Sequence, residues 1–217
     1  DLGPGFDEGW FTVQDAASAL VVSVLAPRPG ERVLDACAGP GGKAAHAACL
    51  VAPTGLLVAA DASEHRARLV RRTAERLGVG ARVLVQDARR PALAGGFDRG
   101  LLDAPCSGIG SARRRPELLW RVDPAELSGL ADLQLAIALA TADLLAPGGR
   151  LVYSVCTFPR AETDGVSDAL LERRPDLEPE PVPGPDGPAE RLRLWPHRHG
   201  CDAMFIAAFR KRQPSGR

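Results

Sequence analysis

The chain has 217 residues, 45% of them apolar and 25% charged, which is the usual composition of a soluble globular domain with a substantial core. Lysine and arginine together number 27, as do aspartate and glutamate, so the net charge neither favours nor excludes a nucleic-acid partner. No apolar run reaches about 18 residues and no signal peptide is recognisable, so we expect a cytoplasmic protein without a membrane-spanning segment.

The first half of the chain alternates amphipathic helices with short apolar strands. Helices are predicted at residues 13–26, 43–50 and 63–78, the last of them closed by Gly78. Strands are predicted at 32–38, 55–61 and 81–87, and the glycine-rich turn "GPGGK" follows the first of them.

The second half continues the alternation and then changes character. A strand is predicted at 97–105, and a long helix runs from Asp123, its N-cap, to Ala146. A strand at 150–156 and a helix at 162–173 follow. The stretch 175–188 is rich in proline, glycine and acidic residues and is predicted to be a surface loop. Residues 191–195 and 203–211 are predicted to form an antiparallel pair.

This pattern predicts an α/β fold. Continuous apolar strands separated by helices are typical of a mostly parallel sheet covered on both faces. In open sheets of this kind the ligand lies beyond the carboxyl ends of the strands. Five residues with reactive or charged side chains fall at such ends: Asp35, Asp61, Asp87, Asp103 and Cys156. We therefore expect a site at this edge, which Cys106, just after the fourth strand, also reaches.

The cysteines and histidines argue against two other kinds of site. The five cysteines are an odd number in a chain without a secretory signal, which favours reduced thiols over a disulfide framework. There is no Cys-x-x-Cys pair, and the four histidines lack metal-ligand spacing, so no metal site is predicted. We expect Cys37, Cys49 and Cys201 to be buried apolar thiols.

The glycine-rich turn is ambiguous by itself. It is not a P-loop, because Cys37 and Ala44 stand where that motif needs Gly and Ser or Thr. It fits the loose dinucleotide pattern with Gly39, Gly41 and Ala44, and Asp61 lies where a ribose-binding carboxylate belongs. Spacing alone leaves both a nicotinamide enzyme and an S-adenosyl-methionine enzyme open.

Five longer stretches carry a more specific pattern. They are "FDEGWFTVQDAASALV", "LDACAGPGGKA", "DAPCSGIGSARRRPELLW", "LVYSVCTFPRAETD" and "HRHGCDAMFIAAFRK". Together they resemble the Sun/Fmu-type (Nop/Sun family) RNA cytosine-C5 methyltransferases, in their bacterial ribosomal RNA branch, over nearly the whole chain. The chain departs from the family pattern at Gly39, Ala44, Val155, Ala203 and Met204.

The resemblance implies a fold and a domain arrangement. The fold is a Rossmann-like class I methyltransferase with a mostly parallel seven-stranded sheet, an antiparallel edge pair and helices on both faces. Residues 1–217 are expected to be one methyltransferase domain, with 1–26 forming an N-terminal segment and helix packed on it. The chain starts at Asp1 and not at Met, so we expect it to be part of something longer or to be disordered upstream. The resemblance implies that the missing upstream part is an RNA-binding domain, and we expect a monomeric protein.

The resemblance also implies a reaction, namely methyl transfer from S-adenosyl-methionine to C5 of cytosine in RNA, with 16S ribosomal RNA favoured. Cys156 is then the nucleophile, Cys106 assists product release, and Asp103 contacts the cytosine with Lys43 beside it. DNA cytosine methyltransferases use the Pro-Cys thiol as nucleophile, so the reverse assignment of the two cysteines is a rival. A transfer-RNA substrate, or a non-catalytic RNA-binding relative, also remains open.

For the cofactor, the resemblance places the methionine part on the turn residues Cys37, Ala38, Gly39, Pro40, Gly41, Gly42 and Lys43. Asp61 would accept from the ribose hydroxyls, Asp87 would lie by the adenine, and Asp103 would border the same site. Asp61 has a simpler interpretation as the N-cap of the next helix. Arg66 is either a partner behind the cofactor or a solvated helix charge, and we slightly favour the latter. Residues 113–115, three arginines, border the site and are candidates for phosphate contacts.

Overall fold

The computed structural model of the chain describes residues 3–120 and 122–214. Its helices are α1 (Pro4–Asp7), α2 (Ala16–Leu25), α3 (Gly42–Val51), α4 (Glu64–Arg76), α5 (Leu127–Leu144), α6 (Asp164–Arg173) and α7 (Pro196–His199). Its strands are β1 (Arg32–Asp35), β2 (Leu56–Asp61), β3 (Arg82–Val85), β4 (Phe97–Asp103), β5 (Leu145–Val155), β6 (Leu177–Glu180), β7 (Arg191–Leu194) and β8 (Met204–Lys211).

The strands form one sheet in the order β3-β2-β1-β4-β5-β8, with β6 and β7 both paired to the outer side of β8. The first five strands are parallel, and β8 is antiparallel to β5. β6 pairs with the second half of β8 and β7 with its first half. The two short strands therefore lie end to end along the same edge of the sheet. The predicted mostly parallel sheet with an antiparallel edge pair is confirmed, with the seventh position divided into two segments.

The prediction of a loop over residues 175–188 is wrong in its first part, where β6 lies. Pro179 is tolerated there because an edge strand has one side that needs no backbone donor. The Glu180 carboxylate also fastens the strand to the sheet, lying 2.7 Å from Arg150 and 2.6 Å from Arg210. Charged residues next to a proline concealed the strand from a pattern based on apolar alternation.

Two apolar layers cover the sheet because successive strand residues point to opposite faces. Val33 belongs to the layer that includes α2 and α3, whereas the next residue, Leu34, belongs to the layer that includes α5 and α6. Leu101 and Leu102 divide in the same way, and both are fully buried. Burying each such side chain contributes about 1.5–3 kcal/mol, so the two layers together hold the strand ends in place.

The long helix begins at the predicted position, with the Asp123 carboxylate accepting the Ala125 N–H. It starts as a 3₁₀ turn and ends at Leu144, because β5 begins at the next residue. By length and composition alone, the stretch Pro124–Leu144 is apolar enough to cross a membrane, which the sequence analysis did not anticipate. In the fold it packs against β4, β5 and α6, as a core helix does.

Candidate active site

The carboxyl edge of the sheet opens into a cleft of about 910 Å³. Seven of the predicted site residues line it: Cys37, Asp61, Arg66, Asp87, Asp103, Cys106 and Cys156. The other six, residues 38–43, are not among the residues that line it. The cleft is also lined by the apolar side chains of Val85, Leu133 and Ile137, which the motifs did not identify. The cleft has the size and mixed lining of a small-molecule site.

Cys106 and Cys156 come together at this edge, with their Sγ atoms 3.6 Å apart. The register of the sheet explains the meeting. Asp103 on β4 lies opposite Ser154 on the parallel neighbour β5, so the residues just beyond these two positions leave the sheet side by side. The expectation that the two cysteines share one place is confirmed.

The two thiols differ in their electrostatic surroundings. The hydrogen bond from the Cys106 thiol, together with the charge of Lys43, lowers the pKa of Cys156 despite burial and the nearby Asp103. The same hydrogen bond, reinforced by burial, holds the pKa of Cys106 well above its usual range. These surroundings favour the thiolate at Cys156 and the protonated thiol at Cys106.

Lys43 and Asp103 form a largely buried ion pair beside the thiols, with Nζ and Oδ2 2.7 Å apart. The Ser154 hydroxyl donates to the other carboxylate oxygen of Asp103 at 2.8 Å, and Lys43 also donates to Ser18 of α2 at 3.2 Å. Burial opposes the charge on Lys43, but Asp103 more than offsets this and raises the lysine's pKa. Lys43 thus keeps a fixed positive charge at the thiols.

Asp35 is a member of this charged group that the motifs did not mark as a site residue. Its side chain is buried; one oxygen accepts the Cys37 N–H at 3.3 Å, and the other has no hydrogen-bond partner among the described residues. Burial, and next the negative charge of Asp103, raise its pKa to about 7. The sequence places Asp35 at a strand end, but it does not show that one oxygen of the carboxylate lacks a hydrogen-bond partner.

Asp61 and Arg66 fix the glycine-rich turn, and two expectations about them are wrong. Ser63, not Asp61, is the N-cap of α4, accepting the Arg66 N–H. Asp61 instead accepts the N–H groups of Gly39 at 3.0 Å and Ser63 at 2.9 Å. Arg66 is not merely a solvated charge, since its guanidinium donates to the Gly39 carbonyl at 2.5 Å and lies 3.3 Å from Asp61.

The glycines of the turn are needed for close packing. A Cβ on Gly39 would lie 2.6 Å from both Arg66 Nε and an Asp61 oxygen. Gly41 has a φ of 115°, and a Cβ there would lie 2.9 Å from the Val70 backbone of α4. The positive φ and the backbone contact require glycine at Gly41, whereas a side chain at Gly39 would force Arg66 and Asp61 to shift.

Asp87 lies on the far wall of the cleft and is exposed. Arg89 holds it with two guanidinium contacts, Nη2 to Oδ2 at 2.6 Å and Nε to Oδ1 at 3.0 Å. These hydrogen bonds lower the pKa of Asp87 to about 2, so the carboxylate stays ionised. It can accept from a ligand only through the lone pairs that Arg89 leaves free.

The three arginines at 113–115 are mostly engaged within the protein. Arg114 pairs with the buried carboxylate of Asp202, and Arg113 lies 3.5 Å from the same carboxylate and 3.7 Å from Asp15. Only Arg115 lines the cleft, and its guanidinium lies 3.4 Å from Glu117. Arg114 therefore joins the Cys106 loop to Asp202, and Arg113 lies near both Asp202 and Asp15, so each of these arginines already has a carboxylate partner.

The remaining cysteines differ from one another. Cys201 is buried as expected, Cys37 is half-buried at the cleft, and Cys49 is exposed, which contradicts the expectation for that residue. Within residues 3–120 and 122–214, no group of three or more His, Cys, Asp or Glu side chains is placed to hold a metal ion.

Glu162 is a further residue near the thiols that the sequence did not reveal, because its motif was interpreted only as the start of a helix. Its carboxylate is fully buried between the two cysteine loops.

The family model described as "16S rRNA methyltransferase RsmB/F" matches residues 22–210. The chain is 40% identical to the probable ribosomal RNA small subunit methyltransferase B of Bacillus subtilis, covering 95% of this chain and 49% of that protein. It is 40% identical to ribosomal RNA small subunit methyltransferase B of Vibrio cholerae, covering 96% of this chain and 48% of that protein. The chain thus spans about half the length of these curated relatives.

A solved structure agrees with the sequence matches. NSun6 from Pyrococcus horikoshii with SFG, an analogue of S-adenosyl-methionine, superposes with a TM-score of 0.87 at 32% identity. The match covers 98% of this chain and 56% of that one. The similarity extends over nearly every element described above.

Asp35 makes the stability depend on pH in a defined direction. Its folded-state pKa, about 7, exceeds its ordinary value of 3.8, so its contribution is full below pH 3.8 and is lost as the pH rises through 7. Between pH 5 and 8, the free energy of unfolding should fall by about 2–3 kcal/mol more in the wild type than in Asp35→Asn. Urea unfolding at both pH values measures this difference. Asp132→Asn, which alters an exposed carboxylate of α5, should behave as the wild type does. A wild-type slope in Asp35→Asn would contradict the assignment.

Lys43 should govern the reactivity of Cys156. Lys43→Met removes the ammonium that favours the thiolate and leaves Asp103, so the pH at which Cys156 reacts half-maximally should rise by about one unit. The rate of iodoacetamide alkylation against pH, followed by peptide mass spectrometry, gives this midpoint. Lys211→Met is the matched control, because the chain's other lysine donates to the Leu145 carbonyl at the opposite end of β5. An unmoved midpoint in Lys43→Met would refute the role.

Proposed function

This chain belongs to the RsmB/F family of 16S rRNA methyltransferases, as its motifs predicted, and we propose that it methylates C5 of a cytosine in RNA with S-adenosyl-methionine as methyl donor. Small-subunit ribosomal RNA is the favoured substrate. The observation that carries the proposal is the pair of unequal thiols, Cys106 and Cys156, 3.6 Å apart beside the Lys43–Asp103 ion pair.

The chemistry explains why two thiols are needed. Cytosine C5 is too weak a nucleophile to take a methyl group directly, but a thiolate that adds to C6 gives C5 carbanion character. When bound, S-adenosyl-methionine supplies the methyl group as an electrophile. A base must then remove the proton from C5 so that the C6–S bond can break. Because the C6 face of a stacked base is inaccessible, the cytosine must leave the stack.

In this proposal Cys156 adds to C6, because it is the thiol whose surroundings favour the thiolate. Once the Cys156 sulfur is bonded to C6, it is neutral. Cys106 then loses the hydrogen bond to the Cys156 thiolate, which is the main cause of its raised pKa. Cys106 can then release its proton to water in the open cleft and, as a thiolate, take the proton from C5. Asp103, held by Lys43 and Ser154, would accept from the amino edge of the base.

The cleft fits S-adenosyl-methionine without needing residues that the chain lacks. Asp61 would accept from the ribose hydroxyls, with Arg66 holding it in place. Val85 and Ile137 offer apolar surface, and Asp87 a carboxylate, to the adenine. The methionine part would lie toward Cys37 and the turn that follows it. The nicotinamide alternative, which the glycine spacing left open, gains no support from the family match.

The two alternative functions that also involve RNA differ in their support. A transfer-RNA substrate uses the same chemistry, and the site offers nothing against it. A non-catalytic RNA-binding relative is disfavoured, because a chain that only binds RNA has no need for a thiol with a lowered pKa beside a buried lysine.

We further propose that residues 1–217 form one methyltransferase domain of a longer, monomeric cytoplasmic protein whose upstream region binds RNA. Two observations support this arrangement. The relatives are about twice as long as this chain. The arginines at 113 and 114, which border the site, are engaged by Asp15 and Asp202.

Binding of S-adenosyl-methionine should depend on Asp61. Asp61→Ala removes a carboxylate acceptor from the ribose and should weaken binding by roughly 1.5–3 kcal/mol. Isothermal titration calorimetry measures the change, and NAD should give no heat. Asp186→Ala, which alters an exposed carboxylate paired with Arg198, serves as the control. Wild-type affinity in Asp61→Ala would remove the ribose role.

The division of labour between the thiols can be observed directly. Cys106→Ala should form the C6–S bond but fail to release it, and so accumulate a protein–RNA adduct that survives a denaturing gel. Cys156→Ala should form no adduct, and Cys49→Ala, which removes an exposed thiol, should turn over as the wild type does. All variants are incubated with small-subunit ribosomal RNA and S-adenosyl-methionine. An adduct with Cys156→Ala alone would reverse the assignment.

A further inference from the structure

Glu162 is a fully buried carboxylate that the reaction described above does not use. It accepts the Ser107 N–H at 2.8 Å, the Ser107 hydroxyl at 2.5 Å and the Gln134 side-chain amide at 2.9 Å. Each of these groups presents a hydrogen to the carboxylate, but none carries a positive charge. Glu162 therefore differs from Asp103, whose charge is balanced by Lys43.

The partners of Glu162 stand next to the two thiols in the chain. Ser107 follows Cys106, and Thr157 follows Cys156. The Thr157 and Ser107 hydroxyl oxygens are 2.6 Å apart, and because Ser107 donates to Glu162, the hydrogen between the two hydroxyls comes from Thr157, whose oxygen also lies 3.5 Å from Glu162. A continuous chain of hydrogen bonds thus runs from Glu162 through one cysteine loop to the other.

Gln134 of α5 fixes the other side of Cys106. The same side-chain nitrogen that donates to Glu162 lies 2.9 Å from the carbonyl oxygen of Pro105, the residue before Cys106. The Gln134 carbonyl oxygen lies 3.0 Å from the Tyr153 hydroxyl, which is itself 2.6 Å from the Glu162 backbone carbonyl. The backbone on both sides of Cys106 is therefore tied to one buried network.

Stability alone gives little reason for a carboxylate at this position. Removing an ion from water costs several kcal/mol, and neutral donors only partly offset the cost, whereas an apolar side chain of similar volume would pack at no such cost. A fully satisfied polar network does, however, restrict the groups it joins to one geometry, which uniform apolar packing does not. The geometry restricted here is that of two thiols 3.6 Å apart.

We propose that Glu162 is a positioning residue that sets the separation of the Cys106 and Cys156 sulfurs by holding Ser107 and, through it, Thr157. It acts without touching the substrate or the cofactor. The inference depends on the proposed function only for the reaction that the thiols serve; the positioning itself is a property of the free protein.

The separation can be tested through the rate at which the two thiols form a disulfide. Diamide accepts two electrons and two protons from a pair of thiols and is reduced to the hydrazine, and the S–S bond that forms is about 2.05 Å long. Because only a small approach from 3.6 Å is needed, the wild-type pair should join rapidly. The 217-residue chain is treated with diamide alone, and the Cys106–Cys156 peptide is quantified over time by mass spectrometry.

Glu162→Gln keeps the size of the side chain but turns amide hydrogens toward donors. It should slow disulfide formation by roughly five- to tenfold, the equivalent of at least one net hydrogen bond. Glu180→Gln is the matched control, since it removes a half-buried glutamate from the ion pairs with Arg150 and Arg210 far from the thiols. It should lower the melting temperature while leaving the rate unchanged. A wild-type rate in Glu162→Gln would overturn the proposal.

Thr157 supplies a second, milder pair of variants. Thr157→Val removes the hydroxyl and should slow disulfide formation by roughly fivefold, whereas Thr157→Ser keeps the hydroxyl and should restore the wild-type rate. If circular dichroism shows Glu162→Gln to be unfolded, this pair decides the question, and equal rates in the two variants would overturn the proposal.

The readout needs neither RNA nor S-adenosyl-methionine, so it separates this inference from the proposed function. If disulfide formation responds as expected in a protein that never methylates RNA, only the proposed function fails. If methylation is demonstrated but disulfide formation ignores Glu162 and Thr157, only the positioning role fails.

Discussion

The buried ion pair between Lys43 and Asp103 is the interaction on which the rest of the site depends. The carboxyl edge of a parallel sheet collects strand-end residues, and here it collects Asp35, Asp61 and Asp103 within one region. Like charges gathered in a poorly solvated place repel each other, and without a cation the arrangement would destabilise the fold. Lys43 is one of only two lysines in a chain that otherwise uses arginine for its positive charges. A compact ammonium can approach both a carboxylate and a sulfur at this crowded edge, whereas a guanidinium is wider and needs planar partners.

The other features of the edge hold this pair and the thiols in place. The glycine-rich turn brings the first turn of α3 against α4, and its close packing leaves no room for a side chain at Gly41. That packing determines where Lys43 leaves the helix. On the other side of the thiols, a buried glutamate joins the two cysteine loops. The site thus lies between a charged pair anchored on the β1–α3 turn and a polar network anchored on α5.

Much of this could be predicted from the sequence, and what could not be predicted has a common physical cause. Apolar periodicity and capping residues act locally, so the mostly parallel sheet, the start of the long helix and the meeting of Cys106 with Cys156 followed from pattern and topology. The errors fell where a long-range contact decides the outcome. Arg66 has a hydrogen-bond partner only because the glycine-rich turn packs against α4 and brings the Gly39 carbonyl within reach. β6 forms only because it can pair with β8. The missing partner of Asp35 is likewise a property of the assembled layers rather than of any local pattern.

The raised pKa of Asp35 bears on the thiols through the same lysine. A second ionised carboxylate behind Asp103 would add a negative charge near Cys156. That charge would offset part of the effect of Lys43 on the pKa of the thiol. Near neutral pH, burial keeps Asp35 protonated for part of the time, and the ammonium then acts on one carboxylate and one thiolate only. Burying a carboxylate where it resists ionisation therefore favours the ionisation of a sulfur in the same region. The hydrogen bond from Cys106 is the main cause of the lowered pKa of Cys156, and the charge of Lys43 together with the raised pKa of Asp35 adds to it.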